Sequence, residues 1–268
     1  ERHRQIRGDP LSLGGTIVRS ILEDRGGVLW VGLESYGLGK HAPSAIHFET
    51  IRDDPSSPVS ISNGYVRGIS EDRAGNIWIA TQFGGLNRYD RSQRRVTTYR
   101  HSASDPASLP GNNVWASLED HKGQLWVGLH QRGVGTLDPR TGSFTRSPVV
   151  DTGTSVNVLY EDRSGNLLIG TEGKGMIELS RDRKHVYRYS SSAADWRRLE
   201  SDDIQTILED SEGMLWAGGT DGLTRVDRRG SRVTHFRAGA GEPGQLPNPF
   251  ITSIAEDRFG RLWFASKG

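Results

Sequence analysis

Paired carboxylates are the first chemistry this sequence offers. Glu-Asp stands at Glu23-Asp24, Glu71-Asp72, Glu119-Asp120, Glu161-Asp162, Glu209-Asp210 and Glu256-Asp257. One such pair could divide the work of a general acid and a general base. A catalytic pair is needed once, whereas here every aspartate is followed three residues later by glycine (Gly27, Gly75, Gly123, Gly165, Gly213, Gly260). That recurrence assigns the aspartate to turn formation. Its carboxylate can accept a hydrogen bond from the backbone two residues on, and glycine takes the corner that needs positive φ. Asp-x-x-Gly lacks the alternating oxygen ligands of a calcium loop. Of the eight histidines, His41 and His47 are closest in sequence, and they share one irregular hairpin without zinc-ligand spacing. No G-x-S-x-G elbow, phosphate loop or dinucleotide fingerprint is present. The residues therefore assign no catalytic group, metal or cofactor, and the chain reads as a non-enzyme.

The elements that carry these turns repeat along the whole chain. Successive motif aspartates are separated by 48, 48, 42, 48 and 47 residues. Three residues after each glycine comes Trp30, Trp78, Trp126, Leu168, Trp216 or Trp263. In the second copy the pattern predicts strands over about 65–71, 76–81, 85–89 and 95–100, each of the usual length of about 5–6 residues. Four short antiparallel strands in units of about 40–50 residues are the signature of a β-propeller blade. A blade cannot bury both faces alone, so blades must stack on one another. The motif tryptophan would fill the wedge between adjacent sheets. The small residue two positions on (Gly32, Ala80, Gly128, Gly170, Gly218, Ala265) would let the neighbouring backbone approach.

The expected fold is thus all-β, a single propeller region over 1–268 with repeats starting near 16, 64, 113, 155, 203 and 250. Five blades are complete, and the sixth stops after its second strand. Residues 1–15 read as the tail of a preceding repeat, which makes the chain a piece of a longer protein. Crossings between blades carry Asp-Pro and a leucine, as at Asp105-Pro106 and Leu109, with the leucine expected to plug the crossing onto the core. Trp196 stands outside the motif and is read as a similar plug. The arginine-rich runs 91–95 and 225–232 read as solvated edges guarded by charge. A formal net charge of +1 over 268 residues excludes a strong field toward nucleic acid or anionic membrane. Cysteine is absent, which excludes disulfides and thiolate metal sites.

Val114-Trp115-Ala116-Ser117-Leu118-Glu119-Asp120-His121-Lys122-Gly123-Gln124-Leu125-Trp126-Val127-Gly128, and the copy that runs from Ile204 to Trp216, resemble the repeat of the two-component regulator propeller family. That repeat reads V-x-x-I-x-E-D-x-x-G-x-L-W-I-G-T, with a D-P-x-S-L crossing. Leu168, the short crossing into the fourth repeat and the odd third strand of the first depart from it. The resemblance implies the periplasmic, extracytoplasmic input region of a bacterial inner-membrane receptor. Such a region passes a signal to a cytoplasmic histidine kinase or diguanylate cyclase.

Within a repeating framework, binding is expected where the copies differ. Between the second and third strands stand Glu34-Ser35-Tyr36, Gln82-Phe83, His130-Gln131-Arg132, Glu172-Gly173-Lys174 and Asp221. Leading into the first strands stand Tyr65, Asn112, Asn113, Trp115 and Asn157. In a propeller both sets reach one face. Aromatics beside amides and charges suit stacking on, and hydrogen bonding to, a saccharide or other small polar ligand. The expected ligand-binding residues are therefore Tyr36, Tyr65, Gln82, Phe83, Trp115, His130, Gln131, Arg132, Glu172, Lys174 and Asp221. Expected partners are that ligand, a neighbouring propeller or receptor domain, and a second copy of the chain. A pure interaction scaffold is the alternative. A third reading, an enzyme similar to streptogramin lyase propellers, could nominate only His130 with Glu172.

Overall fold

The computed structural model describes residues 17–45, 48–57, 59–239 and 245–267. The chain divides into two compact units, Glu1–Ser147 and Pro148–Gly268. The first unit holds three four-stranded sheets. They are β1 (Val18–Glu23), β2 (Leu29–Leu33), β3 (Gly37–His41) and β4 (Glu49–Ile51); β5 (Val66–Glu71), β6 (Ile77–Thr81), β7 (Gly85–Asp90) and β8 (Arg95–Tyr99); and β9 (Val114–Glu119), β10 (Leu125–Leu129), β11 (Gly133–Leu137) and β12 (Phe144–Arg146). The second unit holds two more: β13 (Val156–Glu161), β14 (Leu167–Thr171), β15 (Met176–Leu179) and β16 (Val186–Tyr189); and β17 (Ile204–Glu209), β18 (Leu215–Gly219), β19 (Leu223–Asp227) and β20 (Arg232–Phe236). A two-stranded sheet of β21 (Ile251–Glu256) and β22 (Leu262–Ser266) completes it. Within each sheet every strand pairs antiparallel with its neighbour in sequence, and the described residues contain no helix. These are β-propeller blades, five full and one of two strands, as the repeat predicts. The tail expected over 1–15, and Ile46 and His47 of the odd hairpin, lie outside the described residues. That hairpin turns at Ala42, whose carbonyl accepts from Ala45 N at 2.9 Å, and its strand begins at Glu49.

The motif turn does more than reverse the chain. Gly75 sits at φ 84° and donates its N–H to the Asp72 carbonyl at 3.0 Å. The carboxylate of each motif aspartate then divides its two oxygens. In Asp24, Oδ1 accepts the amides of Gly26 and Val28 at 2.8 and 3.0 Å, while Oδ2 accepts the Trp30 indole N–H at 2.6 Å. The indole bond recurs from Trp78, Trp126, Trp216 and Trp263 to their own aspartates, at 2.9, 2.9, 2.7 and 3.0 Å. The aspartate is thus a turn former and also the partner of a buried indole that would otherwise lose a hydrogen bond.

In four of the pairs the glutamate points to the blade before it. Glu71 Oε2 accepts the Arg25 amide at 3.0 Å, Glu119 Oε2 the Arg73 amide at 2.5 Å, Glu209 Oε2 the Arg163 amide at 2.7 Å and Glu256 Oε2 the Ser211 amide at 2.8 Å. These rungs join successive blades turn to turn.

Packing follows the wedge prediction. Trp30 is buried with Val66, Ile77, Ile79 and Tyr89 of the next blade, and Trp78 with Val114, Leu125 and Leu137. Leu168 fills the same place against Ile204, Ile207 and Leu215. A Cβ added at Gly32, Gly170 or Gly218 would lie 2.7, 2.8 or 2.7 Å from Val66, Ile204 or Ile251 of the following blade. Those glycines let the sheets close up. Leu109 and Leu199 plug their crossings, and Trp196 packs edge-on to Tyr189 with ring centroids 5.8 Å apart. Trp263 is 59% exposed at a position buried in the other blades.

The arginine-rich runs need correction at two residues. Arg91 reaches Asp24 Oδ2 of the preceding blade at 2.5 Å and Glu71 Oε1 at 3.3 Å. Arg228 holds Asp162 at 2.6 Å, Glu209 at 3.1 Å and Glu178 at 3.4 Å. Both occupy the turn after the third strand and clamp two blades together. They are half-buried arginines paired to buried aspartates, while Arg94 and Arg95 stay on the solvated edge.

Candidate functional site

A bulge at the start of each first strand decides which side chains gather. Val66 pairs with Thr81 and Gly68 with Ala80, so Arg67 is the extra residue. The same break leaves Arg19 unpaired between Val18 and Ser20, and Trp115 unpaired between Val114 and Ala116. A bulge bends the strand and re-aims the extra side chain. Three successive blades of the first unit thus present Arg19, Arg67 and Trp115 at one equivalent position. The connection after each second strand joins the same end. Glu34 N donates to Ile17 O, Gln82 N to Tyr65 O and His130 N to Asn113 O, each at 3.0 Å. Both sets of variable residues therefore do share one end of each blade.

Among them the first unit assembles a charged aromatic cluster. Arg19 Nε donates to Glu34 Oε2 at 2.7 Å, and Arg19 Nη2 donates to the Tyr65 hydroxyl at 3.1 Å and also pairs with Glu34. The Arg19 guanidinium lies 5.8 Å from the centre of the Tyr65 ring. Arg67 lies 4.3 Å over the Trp115 ring, and His130 stacks on the same ring at 4.5 Å with 24° between planes. The Trp115 indole donates to Asn113 Oδ1 at 2.8 Å, which fixes its orientation. Gly68 makes this approach feasible, since a Cβ there would lie 2.6 Å from the Trp115 carbonyl oxygen.

Charge is unevenly balanced across the cluster. Burial opposes ionisation of Glu34, yet hydrogen bonds from Arg19 and the Tyr65 hydroxyl hold its carboxyl below the usual range. Burial likewise opposes the Arg19 cation, and the bond to Glu34 outweighs it and raises the pKa. Arg67 goes the other way: burial, and then the like charge of Arg19, lower its pKa. No carboxylate among the described residues lies within ion-pair distance of Arg67. Arg19 and Glu34 offset one another, which leaves one positive charge in excess.

The expected binding residues separate accordingly. Tyr65, Trp115 and His130 come together. Trp115 already packs against Arg67 and His130, so its ring is a support for the arginine. Tyr36 and Phe83 are exposed, at 44% and 64%, on the adjoining connections, and Gln82 is half-buried beside Phe83. Gln131 and Arg132 are exposed, with Gln131 at φ 52°. In the second unit Glu172 and Lys174 are exposed. Asp221 accepts from the Ser201 and Thr220 hydroxyls at 2.8 and 3.0 Å, so it braces its own crossing. Asn157, at the equivalent bulge, donates to Ile204 O at 3.0 Å. Arg19 and Arg67 were not among the expected residues. Their signal is the spacing of apolar residues in the first strand. Val18 to Ile21 and Val66 to Ile69 are three apart where a regular strand would place them two apart.

Five stretches, 12–35, 60–83, 108–131, 198–221 and 245–268, match the family described as two component regulator propeller. Among curated proteins none matches the sequence. The extracellular domain of a hybrid two component system of B. thetaiotaomicron is similar in structure, with 24% identity and a TM-score of 0.71 over 95% of this chain and 39% of that one. The extracellular domain of a one component system of the same organism matches at 21% identity and a TM-score of 0.55, over 98% and 40%. The chain thus spans about two fifths of either domain. Virginiamycin B lyase from Staphylococcus aureus, in an inactive form with quinupristin, matches at 11% identity and a TM-score of 0.68, over 99% and 81%.

Proposed function

We propose, for a chain that belongs to the two-component regulator propeller family, that it is a non-enzymatic sensory module. It binds a small polar ligand, with a saccharide as the best fit, outside the cytoplasm, on the periplasmic side of an inner membrane. Further parts of the receptor carry the signal to a kinase or diguanylate cyclase. One observation carries this reading. Against an invariant framework of turns and wedges, the bulge positions of three blades bring Arg19, Arg67 and Trp115 together with Tyr65, Glu34 and His130. Polar groups converging beside exposed aromatics are the composition of a ligand site, and Arg67 has no carboxylate within ion-pair distance among the described residues. The two-component neighbours agree with it, although at their level of identity they speak to the fold. The lyase reading rests on His130 and Glu172, and His130 is already engaged in stacking on Trp115.

The test is a thermal-shift panel of oligosaccharides and small metabolites. A ligand that raises the melting temperature of the protein and loses its effect in Tyr65→Ala supports the sensor. A broad panel without a hit, together with capture of a defined receptor domain, would replace it with the scaffold.

A further inference from the structure

We infer that the ligand is an acidic saccharide, with its carboxylate taken by Arg67. This rests on the ligand-binding reading above and narrows it to one chemistry. Arg19 spends Nε and Nη2 on Glu34 and Tyr65. Arg67, at the equivalent bulge one blade on, lies over the Trp115 ring and has no carboxylate within ion-pair distance among the described residues, with Glu34 and the Tyr65 hydroxyl acting on it less strongly than burial and Arg19 do. A guanidinium presents a planar fork of donors that a carboxylate matches with two parallel hydrogen bonds. Stacking on an indole whose own N–H is anchored to Asn113 fixes the plane of that fork before a ligand arrives. Trp115 is thus a positioning residue.

The charge count sets the valence. Arg19, Glu34 and Arg67 sum to a single surplus positive charge. One carboxylate neutralises it, whereas a di- or triphosphate would leave negative charge unmatched. The lowered pKa of Arg67, from burial and the nearby Arg19, marks a cation that an arriving anion would relieve. The rim supplies the second half of the recognition. Tyr36 and Phe83 expose their rings on the connections of the same two blades that carry Arg19 and Arg67. An aromatic face suits the C–H face of a sugar ring.

The experiment is calorimetric titration of the protein with oligosaccharides that carry a single uronic acid residue, each paired with its methyl ester, which removes the charge and adds one methyl group. The acid is expected to bind about tenfold or more tightly than its ester, as loss of a charge-assisted pair implies. Arg67→Gln should abolish that difference, and Arg67→Lys should restore part of it through charge without the fork. Melting curves check that each variant is folded, and the acid-ester comparison on the unaltered protein needs no variant. Equal affinity for acid and ester would overturn the inference. So would a preference that survives Arg67→Gln, or stabilisation only by neutral sugars or amino acids, and in these cases the sensor reading would stand. No binding by any of these probes would overturn both.

Discussion

Arg228 crosses from its own blade to place Nη1 2.6 Å from Oδ2 of Asp162 in the blade before. Asp162 is the motif aspartate of the repeat that has Leu168 in place of tryptophan, so no indole N–H reaches it. Asn166 Nδ2, at 2.9 Å, and Arg228 supply the missing donors. Removing Arg228 strands three nearly buried carboxylates, Asp162, Glu178 and Glu209, without a counter-cation. Breaking a buried ion pair from one side typically costs about 3 kcal/mol or more. Arg228→Leu is therefore expected to lower the urea midpoint substantially, and Arg228→Lys to recover only part of the loss.

A consensus substitution in the same blade is harmful. Leu168→Trp would restore the repeat pattern, yet it forces a larger ring into a fully buried place packed for leucine against Ile204, Ile207 and Leu215. We expect a loss of about 1–3 kcal/mol from overpacking, read as a lower melting temperature. Trp78→Phe tests the converse. Asp72 Oδ2 keeps the Asn76 side-chain amide at 2.8 Å, so the loss should stay near 1 kcal/mol.

Gly68→Ala should damage stability and the candidate site together. Its Cβ would lie 2.6 Å from a backbone oxygen of the adjacent blade, which cannot move aside as a flexible side chain would. Pushing β5 from β9 separates Arg67 from Trp115. The expected result is a lower melting temperature with reduced quenching of Trp115 fluorescence in a background where the other tryptophans are replaced by phenylalanine.

Stability should also fall in alkali. Tyr189 is buried and donates its hydroxyl to Glu178 Oε2 at 2.7 Å. Burial first, then the charge of Glu178, push its pKa well above the ordinary value of 10.0. An acid held protonated by the fold binds its proton more tightly folded than unfolded. Its contribution is therefore complete below the unfolded pKa and declines as pH rises beyond about 10. Melting temperatures of the protein should drop between about pH 9 and about pH 12, the range that spans that pKa. Tyr189→Phe should flatten part of that slope. Tyr99 and Tyr160, also raised by burial, retain the rest.

Sequence alone was enough for the blades, because their determinants are local and repeated. Asp72, Gly75 and Trp78 lie within a single turn and strand, so one reading of the spacing transfers to every copy. The rungs from Glu71, Glu119, Glu209 and Glu256 join turns about 46 residues apart, and nothing in one copy announces that its glutamate serves the copy before. Arg91 and Arg228 were read as edge charges for the same reason: their aspartate partners, Asp24 and Asp162, lie more than sixty residues away.

The candidate site divides in the same way. Variable loops beside an invariant framework pointed to Tyr65, Trp115 and His130 from the chain itself. Only the folded sheets placed Arg19 and Arg67 among them. A bulge reverses the facing of a single residue, and its effect on neighbours depends on strands from separate blades arriving side by side. Local periodicity determined the strands, the turns and the propeller repeat. The approach of β5 to β9 across Gly68 decided that Arg67 of one blade lies over Trp115 of the next.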